Sequence, residues 1–176
     1  MKKRYRDYLI VDGYNVINSW PKLKELSKTD LEASREELNT ILSEYASFRG
    51  IYTIIVYDAY RIKTSDQRET EIGNLKVVYT KEKQTADAYI EKLIAQFGPK
   101  KHLNISVATD DMAEQQMILG KGGSRISTRE LLIEVENSRV KIGKKTQNTN
   151  VSKNTLDSII DKETWEKLEK IRKNSQ

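Results

Sequence analysis

The chain of 176 residues contains no cysteine. Disulfide bridges, thiolate zinc sites and a cysteine nucleophile are therefore excluded. Histidine occurs once, as His102 behind Lys100 and Lys101; it reads as a surface residue, and RNA cleavage by a histidine pair is disfavoured. Proline occurs twice, and no apolar run approaches the roughly 20 residues that a membrane-spanning helix needs. The opening Met1-Lys2-Lys3-Arg4-Tyr5-Arg6-Asp7 turns polar too soon for a signal peptide. These absences predict a cytoplasmic protein with no membrane partner. What is present is an ordinary hydrophobic fraction of 37% beside a high charged fraction of 32%, the balance of a folded chain able to bury a core. The net charge of +5 is a modest pointer to an anionic partner.

The organising stretch is Tyr8-Leu9-Ile10-Val11-Asp12-Gly13-Tyr14-Asn15. A short apolar run that stops on a carboxylate, a glycine and an amide suits a strand buried on both faces. Asp12 then lies where the strand leaves the sheet, and Gly13 allows a sharp turn. The pattern returns at Tyr52–Tyr57 before Asp58 and at Ile105–Thr109 before Asp110 and Asp111. Between these strands, Val16 to Pro21 reads as a loop. Thr29 with Glu32 matches a capping box for a helix closed by Gly50. Ala59 to Asn74 reads as a polar loop or short helix, and Leu75–Tyr79 as a strand. Thr85 is placed to cap a helix running to Phe97, with Asp87 in its first turn. A helix from Met112 to Leu119, a short strand at Arg125–Ser127 and an amphipathic helix from Thr128 to about Asn137 follow. Arg139 to Asn154 reads as a basic mobile linker and Leu156 to Ile171 as a terminal helix. Strands alternating with helical patterns predict an α/β fold with a mostly parallel central sheet flanked by helices. The expected organisation is one domain over 1–140 and a basic extension over 141–176.

In a parallel sheet the strand carboxyl ends share one edge, and the helices that follow begin there. Asp12, Asp58, Asp87 and Asp110 are thus expected together. Crowded carboxylates raise one another's pKa unless a cation neutralises them, and a hard divalent ion, Mg2+ or Mn2+, does so with oxygen ligands. Such an ion makes a bound water more acidic and polarises a phosphate oxygen, the chemistry of phosphodiester hydrolysis. Asn15 can orient a ligand, water or phosphate. Taken singly, an aspartate after a strand is commonly a turn or cap residue, and Asp111 is read that way, as the cap of the helix at Met112. The joint pattern carries the metal reading.

The motifs LIVDGYNVI (9–17), IIVYDAY (54–60), YTKEKQTADAYIEKL (79–93), VATDDMAEQ (107–115) and STRELLIEVE (127–136) resemble, in this order, the NYN-domain ribonucleases, relatives of the PIN nucleases, and specifically their bacterial YacP-like branch. The resemblance implies a PIN-like fold and a divalent metal held by acids, here Asp12, Asp58, Asp87 and Asp110, with Asn15, Thr109 and Glu114 around them. It further implies an endoribonuclease that associates with the ribosome and cuts messenger RNA in the A site.

An RNA substrate needs cations along its backbone, and Lys121, Arg125, Arg129, Lys141, Lys144 and Lys145 are candidates for phosphate contacts, which supply affinity but little sequence reading. Tyr14 and Tyr60, beside the acids, are placed to stack on unpaired bases. Gly120-Lys121-Gly122-Gly123 lacks the rest of a phosphate-binding loop and reads as a turn. The expected activity is metal-dependent endoribonucleolytic cleavage of single-stranded RNA. Two rivals are a catalytically silent RNA- or ribosome-binding module of the same fold, and a phosphatase or nucleotide-binding α/β protein, the latter disfavoured by the absence of a glycine-rich phosphate loop.

Overall fold

A computed structural model of the chain describes residues 5–58, 68–98 and 102–153, excluding the side chains of 113, 114, 117 and 145–153. In order, the elements are β1 (Asp7–Asp12), α1 (Gly13–Ser19), α2 (Pro21–Thr29), α3 (Leu31–Arg49), β2 (Tyr52–Tyr57), β3 (Arg68–Ile72), β4 (Leu75–Tyr79), α4 (Ala86–Phe97), β5 (Asn104–Ala108), α5 (Met112–Gly120), β6 (Ser124–Ile126) and α6 (Thr128–Lys153). The strands form one sheet in the order β3-β4-β2-β1-β5-β6. Every pairing is parallel except the β3–β4 hairpin. Two compact units divide the chain, Met1–Ser138 and Arg139–Gln176, and the sheet lies in the first. Among the described residues no helix is long and apolar enough to cross a membrane.

The central strands read as unbroken apolar runs because both faces are covered. Leu9, Val11, Ile55 and Tyr57 belong to a core with Val16, Ile17, Trp20, Leu38, Leu42 and Leu131. The alternate positions Ile10, Ile54, Val56 and Val78 meet Ile90, Ile94 and Ile118 on the other side. This is the period-2 alternation of a strand, hidden in the sequence because each face has its own layer of helices.

Several local features differ from the sequence expectation. The expected loop at 16–21 is occupied by α1 and the start of α2: Asp12 caps α1, and Pro21 opens α2 at a position where the missing N–H costs nothing. Seven- and nine-residue helices are too short to display a convincing period. The cap of α3 is Asp30, whose Oδ1 accepts the Ala33 N–H at 2.9 Å, while the Thr29 hydroxyl donates back to Leu26 O. Part of the expected polar loop is strand β3, exposed along its whole length. Its five residues show no apolar alternation; the Gly73-Asn74 turn, with Gly73 at φ +59°, folds them onto β4, where Glu69 pairs with Lys76 at 2.7 Å. The expected mobile linker after Arg139 continues as α6 to Lys153; it holds no proline and a single glycine, Gly143, among helix-compatible lysines. The expected terminal helix at 156–171 lies outside the described residues, as does 59–67. The remaining boundaries agree closely, including the left-handed Gly50 after α3 and the Thr85 cap of α4.

Candidate active site

The parallel registers fix one functional edge. Asp12 lies opposite Val56 of β2, and Val11 opposite Ala108 of β5, so Asp12, Asp58 and the turn Thr109-Asp110-Asp111 all leave the sheet on the same side. Helix α4 returns from that edge after β4, and Asp87 occupies its first turn. The chain departs from β1 to β2 on one flank and to β5 on the other. That reversal marks the crevice where open α/β sheets bind ligands.

Asp12 is half-buried at the centre of this edge. Its Oδ1 accepts the Asn15 N–H at 3.1 Å. Its pKa is nevertheless raised to about 6: burial is the largest cause, and the charges of Asp87 and Asp58 add to it against the lowering effect of the Asn15 N–H. Asp58 Oδ1 accepts the Ala86 N–H at 2.5 Å and so ties the end of β2 to the start of α4, one residue before Asp87. The Asp87 pKa is also raised, by partial desolvation first and then by the charge of Asp111.

The consecutive acids of the β5–α5 turn have different surroundings. Asp110 Oδ1 accepts the Thr128 N–H at 2.9 Å, its Oδ2 accepts the Thr128 hydroxyl, and Ser19 Oγ donates to the same oxygen at 3.3 Å. Asp110 therefore fastens the turn to α1 and α6. Asp111 is the acid whose charge reaches Asp87, and its N–H donates to Thr109 Oγ1 at 3.0 Å. Asn15 braces the same turn: its Nδ2 donates to Thr109 Oγ1 at 3.5 Å, and its Oδ1 accepts the Asp110 N–H at 3.3 Å.

These carboxylates are an all-oxygen donor set of like charge, which suits a hard divalent cation. Among the described residues, no group of three or more Asp, Glu or His side chains converges closely enough to enclose a metal ion. The fit lies in the chemistry and mutual repulsion of the acids, not in a finished cage.

The other candidate residues separate. Tyr14 is only 4% exposed: Arg35 Nη1 donates to its hydroxyl at 2.9 Å, and its ring meets Tyr57 edge-on at 5.3 Å. It is core, not a stacking platform, because the first turn of α1 directs it into the sheet face shared with α3. Thr109 is fully buried and serves the turn. Lys121 is paired with Glu91 at 2.8 Å. Arg125 on β6 and Arg129 in the first turn of α6 are exposed, as is Lys144. Tyr60 and the side chains of Glu114 and Lys145 lie outside the described residues. Sequence reasoning missed Ser19 and Thr128; the only signal for Thr128 was its place at the head of STRELLIEVE, which reads as an ordinary helix start. A cavity of about 490 Å³ lined by Tyr8, Tyr45, Phe48, Arg49, Asn104 and Glu134 is not lined by any of the four expected acids; strands β1 and β5 enter it by their starts, Tyr8 and Asn104, whereas the acids follow their ends.

Comparison with known proteins gives concordant matches. The model of the YacP-like NYN domain matches residues 9–173. The chain is 38% identical to the Uncharacterized protein YacP of Bacillus subtilis (strain 168) over 95% of its own length and 97% of the relative's. The crystal structure of Rae1 (YacP) from Bacillus subtilis is similar with a TM-score of 0.73 at 37% identity, covering 95% of each chain. The crystal structure of a tryptophan-to-leucine mutant of that Bacillus subtilis protein gives a TM-score of 0.72 at 38% identity over 82% of this chain and 84% of that one.

Proposed function

The chain belongs to the YacP-like NYN domain family, and on that footing we propose that it is a divalent-metal-dependent endoribonuclease acting on single-stranded RNA. Messenger RNA in the A site of translating ribosomes is its expected substrate, which also accords with a cytoplasmic location. The observation that supports the chemistry best is geometric: the parallel registers bring Asp12, Asp58 and the 109–111 turn to one edge, and the Asp58–Ala86 hydrogen bond ties the helix of Asp87 to it. A module that only bound RNA would gain nothing from carboxylates turned toward phosphates.

In this reading Asp12, Asp58, Asp87 and Asp111 hold Mg2+ or Mn2+, and Asp111 takes the place that strand continuity gives to Asp110. When bound, the ion supplies an acidified water and polarises a phosphate oxygen. The chain's own residues do the rest. Asp12 would hold the ion through its ionised carboxylate, and Asn15 keeps the 109–111 turn in register. The exposed guanidinium groups of Arg125 and Arg129 offer contacts to the RNA backbone.

The raised pKa of Asp12 gives this reading a pH signature. Proton and metal compete for one carboxylate, so the apparent dissociation constant of Mn2+ should worsen about tenfold per pH unit below about 6 and level off above it. Titration of the chain with Mn2+ by electron paramagnetic resonance at pH 5 to 8 measures this directly. An affinity unchanged between pH 5 and 7 would remove Asp12 from the site.

The functional test is cleavage of messenger RNA on translating ribosomes, with and without Mg2+, comparing the native chain with Asp87→Asn. Metal-dependent cutting that Asp87→Asn loses supports the proposal in full. Equal cutting of naked RNA retains the nuclease and removes the ribosome. A silent RNA-binding module is the second reading, favoured by the carboxylates' failure to converge as a set among the described residues; it calls for RNA binding without acid-dependent Mn2+ uptake.

A further inference from the structure

Thr128 is fully buried at the start of α6 and cannot touch an RNA, yet it grips the acidic turn through two hydrogen bonds to Asp110. Its N–H and its hydroxyl each donate to one carboxylate oxygen of Asp110. Its hydroxyl lies 2.5 Å from Ser19 Oγ, which reaches the same Asp110 oxygen. Its carbonyl accepts the Trp20 indole N–H at 2.9 Å. The helix that carries it is independently fixed by a reciprocal cap: the Ser127 N–H donates to Glu130 Oε2 at 2.7 Å and the Glu130 N–H to Ser127 Oγ at 3.1 Å. Thr128 is thus an anchored donor pair, and Asp110 is the group it grips.

The consequence falls on the next residue. With the Asp110 carboxylate turned to Thr128 and Ser19, and its N–H donating to Asn15 Oδ1, Asp111 follows with its own N–H on Thr109 Oγ1 at 3.0 Å and its charge acting on Asp87. Gln115 closes the far side of the turn, its Nε2 donating to Thr109 O at 3.0 Å. We propose that Thr128, acting through Asp110, is a positioning residue that aims Asp111 into the acidic edge, so that an aspartate with no place of its own in the metal site sets the direction of its neighbour. This inference rests on the metal-dependent nuclease reading above. Partners that orient metal-binding residues without touching the metal commonly change affinity or activity by about 10- to 100-fold when removed.

The test uses the full chain with Thr128→Val, which keeps the shape and removes the hydroxyl, and Thr128→Ser, which keeps the hydroxyl. Mn2+ affinity is read by electron paramagnetic resonance without RNA, and kcat and KM on a single-stranded RNA are read separately. Because the Thr128 N–H remains in both variants, Thr128→Val should weaken Mn2+ binding and lower kcat by about tenfold each, leave KM within about twofold, and keep a native circular dichroism spectrum in chelator with a melting temperature lower by a few degrees; Thr128→Ser should recover most of both losses. If Thr128→Val does not fold, Ser19→Ala removes the other hydroxyl from Asp110 and should show a smaller loss of the same kind. A native chain that cleaves while Thr128→Val binds Mn2+ and turns over normally would overturn this inference alone, as would a serine variant that restores nothing. A native chain without metal-dependent cleavage would overturn the nuclease reading and this inference with it.

Discussion

Replacing Asp12 with asparagine is expected to abolish cleavage and, in the absence of metal, to make the fold more stable. The two effects share one cause. The Asp12 carboxyl is pushed to about 6 from an ordinary value of 3.8 by burial and by the charges of Asp87 and Asp58, so the folded state favours its protonated form. Its contribution to stability is therefore greatest below about pH 4 and is lost as the pH rises through about 6; near neutrality the ionised group costs up to about 3 kcal/mol. Asparagine carries no charge, can still accept the Asn15 N–H, and is as good a helix N-cap as aspartate. Urea unfolding in chelator should show the variant more stable at pH 7 by up to about 3 kcal/mol and indistinguishable by about pH 3. Without a carboxylate at the centre of the edge, the metal's contribution to the transition state is lost, on the order of 4 kcal/mol or about a thousandfold in kcat/KM. A variant that cleaves normally, or one that is less stable than the native chain at pH 7, would break the link between the buried charge and the chemistry.

Gly13→Ala is expected to be the most damaging small change to the fold. A Cβ at this position would lie 2.2 Å from Tyr57 Cε1 and 2.5 Å from Cδ1, distances that real contacts do not reach. The ring cannot yield. It is fully buried, stacked on Tyr79 with centroids 5.4 Å apart, met edge-on by Tyr14, and tied by its hydroxyl to Asn39 Oδ1 at 3.0 Å. Alanine is the better helix former by about 1 kcal/mol, but overpacking a rigid core costs about 1–3 kcal/mol and occasionally more, so the clash wins. We expect a loss of about 3 kcal/mol, a large share of the roughly 5–15 kcal/mol by which domains are stable. Tyr57→Leu should relieve part of it, making the double variant less destabilised than the sum of the singles. Chemical denaturation of the four proteins measures the coupling; a Gly13→Ala chain within about 0.5 kcal/mol of native stability would show that the ring moves after all.

Gly13 shows how a correct sequence signal can carry the wrong physical reason. The glycine after Asp12 reads as a turn residue chosen for backbone freedom, but its φ is not positive; it is small because Tyr57 occupies the space where a side chain would be. Nothing local announces a contact between positions so far apart along the chain. The same holds for Tyr14, which neighbours the acids in sequence but is turned into the core by the first turn of α1, where Arg35 and Tyr57 receive it.

What the sequence determined by itself was everything set by neighbours along the chain. The apolar runs that become β1, β2, β4 and β5, the αL glycine after α3, the Thr85 cap and the aspartates at the strand ends follow from steric preference, periodicity and capping within a few residues. Because a parallel sheet sends all strand ends to one edge, these local facts also located the candidate site. The tertiary structure alone decided matters of direction and partnership. It paired the exposed strand β3 with β4, committed Asp110 to Ser19 and Thr128, brought the charge of Asp111 to bear on Asp87, and gave Asn15 to the 109–111 turn. Those choices depend on side chains brought together from distant parts of the chain. The orientation of an acid such as Asp110 is set by which donors surround it, and that is known only once the helices have packed.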